Sequence, residues 1–151
     1  MTKEKERKEL LFEDIVKGMQ FPEVSFTLTE EIIEGYLESI DDLDPLYIDD
    51  GYAKKSVFDG RIVPPISMAI YTTVSALIRP SGFKIPAGLI HAMQRFEFTA
   101  IVRPNETLTI KSMVEDKYEK KGRRFVVLRC DVFNKKGVKA GTSWLTPIWS
   151  K

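Results

Sequence analysis

Apolar and polar side chains alternate over Val24-Ser25-Phe26-Thr27-Leu28, the period of a strand with one buried face. The period then changes. Thr29 suits a helix N-cap, Glu30 and Glu31 follow it, and Ile32, Ile33, Tyr36, Leu37 and Ile40 fall at helical spacing. An amphipathic helix is predicted, running out in the acidic loop Asp41-Asp42-Leu43-Asp44-Pro45. Asp49 to Val57 predicts a short helix carrying Tyr52 and Ala53, and Gly60 breaks the chain after it. From Pro65 to Ile78 the sequence is PISMAIYTTVSALI, apolar on nearly every side. Proline suits a first helical turn, so one long helix buried on several faces is predicted, ended by Arg79-Pro80-Ser81-Gly82.

The second half has strand character in four stretches: Leu89 to Ile101, Thr107 to Asp116, Arg124 to Phe133 and Val138 to Trp149. Leu108, Ile110 and Val114 share one face of the second, and Val126, Leu128, Cys130 and Val132 share one face of the third. Lys120-Lys121-Gly122 and Asn134-Lys135-Lys136-Gly137 read as hairpin turns between them. Consecutive strands joined by short turns predict an antiparallel sheet, and the apolar helix must lie against it. The expected fold is α+β: a twisted antiparallel sheet wrapped around one central helix, the hot-dog architecture. An exposed sheet edge makes pairing with a second subunit an expectation in its own right.

Composition narrows the chemistry. A length of 151 residues suits one domain, expected over residues 10–151, with the charged segment 1–9 as a disordered tail. Net charge is +1, which gives no electrostatic reason to expect nucleic acid. Cys130 is the only cysteine, so neither an intrachain disulfide nor a cysteine zinc cluster can form. His91 is the only histidine, which excludes a multi-histidine metal site within one chain, and no G-x-S-x-G elbow supports a serine triad. No metal or cofactor is expected. No apolar run approaches the ~18–20 residues that span a bilayer, and the charged start is no signal peptide, so a cytoplasmic location without membrane contact is expected.

Three segments carry a resemblance. Asp42-Leu43-Asp44-Pro45-Leu46-Tyr47, then Asp49, Tyr52 and Ala53, then Ile62-Val63-Pro64-Pro65 are similar to the loop and helix start of MaoC-like hydratases and dehydratases. That family carries D-x-N-P-[IL]-H, then D…[FY]-A, then I-V-H-G. The run from His91 to Phe98 and Val102-Arg103-Pro104-Asn105-Glu106 resemble its strand and following R-P-x-G-D turn. The resemblance implies the hot-dog fold and addition of water to an enoyl thioester, or the reverse. That reaction needs a base for water, an acid for carbon, and a donor for the thioester oxygen. In the family the loop Asp and His activate the water, and a backbone N–H at the glycine supplies the donor.

Here Asp42 is retained, Tyr47 stands at the histidine, and Pro65 stands at the glycine. A phenol with a pKa of about 10 is a poor base near neutrality, and proline has no N–H. The D-P-L-Y…P-P pattern resembles the N-terminal type of MaoC domain, which pairs with a catalytic hot-dog domain and holds the acyl chain. The resemblance therefore implies an acyl-thioester-binding subunit of an (R)-specific enoyl-CoA hydratase or 3-hydroxyacyl dehydratase, inactive alone. Its ligand would be an acyl-CoA or acyl-carrier-protein thioester. Its partner would be a second copy or a catalytic MaoC-like subunit.

The candidate catalytic residues are Asp42, Tyr47 and His91; the candidate substrate contacts are Pro64, Pro65, Ile66, Tyr71 and Gln94. Each also has a plainer reading. Asp42 belongs in an Asp-rich turn before proline, Tyr47 anchors a loop, and His91 is a structural histidine. The apolar stripe containing Ile66 and Tyr71 is core, and Arg79, Lys84 and Arg103 are solvated cations rather than phosphate ligands. Three rivals stay open: a self-sufficient homodimeric hydratase using Asp42 with His91 or Tyr47, a hot-dog acyl-CoA thioesterase, and a pure assembly module.

Overall fold

The computed structural model describes residues 7–150. Its elements are β1 (Val24–Thr27), α1 (Glu30–Ile40), α2 (Pro45–Ile48), α3 (Asp50–Lys54), α4 (Met68–Tyr71), α5 (Val74–Ile78), β2 (Ile90–Phe98), β3 (Thr107–Lys120), β4 (Arg123–Phe133) and β5 (Lys139–Trp149). Short 3-10 turns precede α4, at Pro65–Ser67, and follow α5, at Arg79–Ser81. The strands form one antiparallel sheet in the order β1-β3-β4-β5-β2. The architecture is α+β, as the hydrophobic pattern predicts.

The alternation sets one face of the sheet. Val24, Ile110, Val132, Gly141 and Phe98 pair across all five strands in one row. Val114, Leu128, Leu145 and Gln94 pair across four strands in a second. Leu108, Ile110, Val114, Leu128, Val132 and Leu145 are buried in the core cluster, together with Met68, Tyr71, Leu77 and Ile78 from the helices that cover the sheet. Lys121 and Gly122 both take positive φ, which makes the two-residue β3–β4 turn compatible with the twist of its strands. α1 starts as expected: Thr29 Oγ1 accepts a hydrogen bond from the Ile32 N–H at 3.3 Å, and Ile33 and Leu37 are buried.

The helix predicted over Pro65 to Ile78 is not continuous. It breaks at Thr72 and Thr73. Thr73 is extended (φ −88°, ψ 155°), and its hydroxyl caps α5 by accepting from the Ala76 N–H at 3.1 Å. Thr72 turns its hydroxyl back to the Met68 carbonyl at 2.8 Å. Gln94 Nε2 donates to Thr72 Oγ1 at 3.0 Å and to Ser143 Oγ at 2.9 Å. Two adjacent β-branched residues whose hydroxyls compete for backbone partners end a helix that apolar patterning alone would continue. A further turn, α2, lies where only an acidic loop was predicted. Asp44 caps it and Pro45 occupies its first position.

Residues 1–6 of the segment expected as a charged tail lie outside the described residues. Lys84 donates its N–H to the Lys8 carbonyl and accepts from the Leu10 N–H, both at 2.9 Å. Lys117 Nζ donates to the carbonyls of Phe12 at 2.8 Å and Ile15 at 2.6 Å, and Trp149 Nε1 donates to that of Leu10 at 2.9 Å. These tie the amino-terminal segment to the sheet. Among the described residues, no helix is long and apolar enough to cross a membrane.

Gly141 is where the sheet is tightest. A Cβ there would collide with the Glu97 carbonyl oxygen of β2 and stand 2.7 Å from Met68 Cε. Gly141→Ala is therefore expected to destabilise the fold by ~1–3 kcal/mol. Gly35→Ala, in the middle of α1 with nothing within 4 Å, is expected to stabilise it by ~0.5–1 kcal/mol. Urea unfolding of the two variants checks both signs.

Candidate functional site

The acidic loop is held from below by two arginines. Arg61 grips Glu30 with both terminal nitrogens, at 2.7 and 3.1 Å, and reaches Asp50 through Nε at 2.7 Å. Its Nη1 also lies 3.4 Å from the Tyr47 carbonyl. Arg103 donates to the carbonyls of Phe58 at 2.5 Å and Arg61 at 3.1 Å. Both terminal nitrogens of its guanidinium are engaged by backbone carbonyls, so it scaffolds this segment. Gly60, at φ 144°, leaves room for it; a Cβ there would stand 3.0 Å from Arg103 Nη1. Asn105 holds the left-handed conformation (φ 63°) in the next turn, which explains how it stands where the family pattern has glycine. Glu106 closes that turn by accepting from the Arg103 N–H at 3.0 Å.

Within the loop three aspartates accept hydrogen bonds from backbone N–H groups. Asp42 Oδ1 accepts from the Asp44 N–H at 3.1 Å, Asp44 Oδ1 from Leu46 at 2.8 Å, and Asp49 Oδ1 from Tyr52 at 2.8 Å. These are the Asx turns and caps that Asp-rich, proline-containing loops form for backbone reasons. Tyr47 is half-buried against the core. Its phenol is held above the ordinary value of 10 by burial first, then by the charges of Asp42 and Asp44. It is a hydrogen-bond donor at neutral pH, not a base. His91 is exposed on the edge strand β2, opposite Pro147, and a register shift at Ala92 separates it from Gln94. Among the described residues, no hydrogen bond or ion pair joins His91 to Asp42 or Tyr47. Nor does any cluster of three or more His, Cys, Asp or Glu form a metal site among them.

A cavity of about 240 Å³ lies where the chain turns from the loop into α4. Pro64, Pro65, Ser67, Met68 and Tyr71 line it on the helix side; Phe98, Ile101, Val102 and Ala140 line it on the sheet side. Val63 brings the two sides together by donating its N–H to the Val102 carbonyl at 2.8 Å. Pro65 begins the first 3-10 turn with no N–H to offer. Tyr71 is 2% exposed, stacks on Phe26 with ring centroids 5.2 Å apart, and has a phenol pushed far up by burial.

Of the residues singled out in the sequence, the cavity gathers Pro64, Pro65 and Tyr71. Ile66 is 45% exposed and does not border the cavity, and Gln94 belongs to the polar cluster with Thr72 and Ser143. Asp42, Tyr47 and His91 do not border the cavity. Ser67 was missed. Its signal was present: a hydroxyl four residues before Tyr71 in an otherwise apolar run, hence on the same helical face.

The family pattern described as FAS1-like, dehydratase domain region, matches residues 15–142. The chain belongs to the FAS1-like dehydratase family. Solved structures place its fold among MaoC-like hot dogs. A monoamine oxidase regulatory protein from Archaeoglobus fulgidus superposes with a TM-score of 0.80 at 20% identity, over 96% of this chain and 97% of that one. A MaoC-like dehydratase from Rhodospirillum rubrum gives 0.75 at 22%, over 94% and 98%. The HadBC (3R)-hydroxyacyl-ACP dehydratase complex from Mycobacterium tuberculosis gives 0.74 at 19%, over 88% and 96%. At these identities the likeness is one of fold. No curated protein matches in sequence.

The buried acids of this dehydratase-family chain predict its alkaline behaviour. Burial, with Asp131 second, pushes the Cys130 thiol from its ordinary value near 9 up to about 12, and burial also raises Tyr71, Tyr47 and Tyr36. Each releases its proton more readily when unfolded. The stability they contribute is complete below about pH 9 and declines as pH rises through 9 to 12. Chemical unfolding measured across that range is expected to show the decline, with Tyr71→Phe making it shallower.

Proposed function

We propose that this chain is a cytoplasmic acyl-thioester-holding subunit of an (R)-specific enoyl-thioester hydratase or 3-hydroxyacyl dehydratase, and takes its acid–base pair from a partner subunit. One observation carries the reading: an uncharged apolar cavity sits at the start of α4, while Asp42, Tyr47 and His91 lie outside its lining. Adding water across a carbon–carbon double bond, or forming that bond by removing water from a 3-hydroxyacyl group, needs a base and an acid at the acyl group. Tyr47 is a protonated phenol, the Asp42 carboxylate closes a turn, and Pro65 lacks the backbone donor. What remains at the cavity is binding and orientation.

Strand β2 supports a partner. It is one of the two sheet edges, mostly exposed, and carries Ile90, Met93 and Phe98 as exposed apolar residues. An edge strand of nine residues invites pairing with another chain. The M. tuberculosis dehydratase of like fold is itself a complex.

The test is to assay the purified chain with crotonyl-CoA and longer enoyl-CoAs, alone and with a co-expressed hot-dog subunit bearing an intact D-x-N-P-x-H loop. Ligand binding without turnover is expected alone, and hydration only with the partner. Robust hydration by the isolated chain, abolished in Asp42→Asn, would replace this reading with a self-sufficient hydratase. Release of free thiol would replace it with a thioesterase.

A further inference from the structure

The cavity contains two hydroxyls that the fold does not use. Ser67 is 3% exposed and Tyr71 is 2% exposed. Among the described residues, neither side-chain oxygen has a hydrogen-bond partner, and both residues border the cavity. They differ from the other polar groups nearby. The Thr99 hydroxyl donates to the Lys139 carbonyl at 2.7 Å, and Thr72 is satisfied by Met68 and Gln94. The fully buried side-chain atoms without a partner among the described residues are Asp14 Oδ2 and Ser112 Oγ, so the Ser67 and Tyr71 oxygens keep some accessible surface at the cavity and are free to bond a ligand there.

The rest of the lining defines the acceptor. Ile62, Val63, Pro64, Met68, Phe98 and Val102 are apolar, and no charged residue borders the cavity. A carboxylate or ammonium group would enter without a counter-charge and lose its hydration, so a charged ligand head is disfavoured. A neutral oxygen on an apolar body fits. Ser67 and Tyr71 lie one helical turn apart, on the face turned toward the sheet. The volume of about 240 Å³ holds on the order of eight water-sized groups. That suits a short acyl chain with its carbonyl.

We propose that Ser67 and Tyr71 are the carbonyl-binding pair of this chain, donating their hydroxyl protons to the thioester oxygen of a short, uncharged acyl group. They take over from the backbone donor that Pro65 removes. The assignment rests on the acyl-thioester reading above and adds its residues and its size limit. The pair is neutral and fixed on helical turns, so it positions the acyl group without supplying acid or base.

The experiment uses butyryl-CoA, a saturated thioester that cannot be hydrated, and S-butyl-CoA, the thioether lacking the carbonyl. Binding of both is measured by titration calorimetry to the full chain, and to its complex with a partner subunit, in wild type, Ser67→Ala and Tyr71→Phe. Each substitution is expected to weaken butyryl-CoA about three- to tenfold and leave S-butyl-CoA unchanged. The wild type should prefer the thioester. Thermal unfolding should be unchanged or raised in both variants, because neither hydroxyl is bonded within the protein. Equal losses for both ligands, or no loss for either, would overturn the carbonyl assignment while leaving the acyl-binding reading intact. A fall in unfolding temperature in both variants would overturn it too, by giving the hydroxyls a role in the fold. No wild-type binding of either ligand, alone or in the complex, would overturn the acyl-binding reading and this assignment with it.

Discussion

A methyl group on Gly141 would overlap the Glu97 carbonyl of the edge strand and press on Met68 of the covering helix. The missing side chain lets three elements meet at one point. Gly141 sits in the row Val24, Ile110, Val132, Gly141 and Phe98, whose other members fill their space. At the gap, α4 drops close to β5 while β2 keeps its pairing. The cavity opens beside that contact, walled by Met68 and Tyr71 from the helix, Ala140 from β5 and Phe98 from β2. Packing interiors to near-crystalline density leaves few such spaces.

Charge is kept apart from this cavity. Arg61 and Arg103 consume their hydrogen-bonding capacity on Glu30, Asp50 and the carbonyls of residues 47, 58 and 61. They give the acidic loop a fixed shape and deliver Val63, Pro64 and Pro65 to the cavity mouth. The aspartates of the loop complete its turns. The division is clear in physical terms: a polar loop built on ion pairs and turns, an apolar cavity, and an open sheet edge.

Periodicity revealed the sheet because burial is enforced on alternate residues. Leu108, Ile110, Val114, Val126, Leu128, Cys130 and Val132 are each fully buried, as their spacing implies. The turn at Lys121-Gly122 was equally legible, since its backbone demands are local. The break at Thr72 was not, because the groups that settle it, Gln94 and Ser143, lie 22 and 71 residues further along. His91 read as a candidate for acid–base work from its chemistry alone. Its place on an exposed edge depends on strand order, which residue types do not encode. Ser67 stood among apolar neighbours, legible only by its helical spacing from Tyr71; that its hydroxyl has no partner among the described residues depends on the packing around it.

The central claim is that the acyl group lies between Pro65 and Phe98 and away from the acidic loop. A crystal structure of the chain with bound butyryl-CoA tests it most directly. The account predicts the butyryl chain in the cavity beside Met68, its carbonyl oxygen within hydrogen-bond distance of Ser67 Oγ and Tyr71 Oη, and Asp42 still bonded to the Asp44 N–H. An acyl group seated elsewhere, with the Asp42 carboxylate or the His91 ring against its α and β carbons, would contradict it.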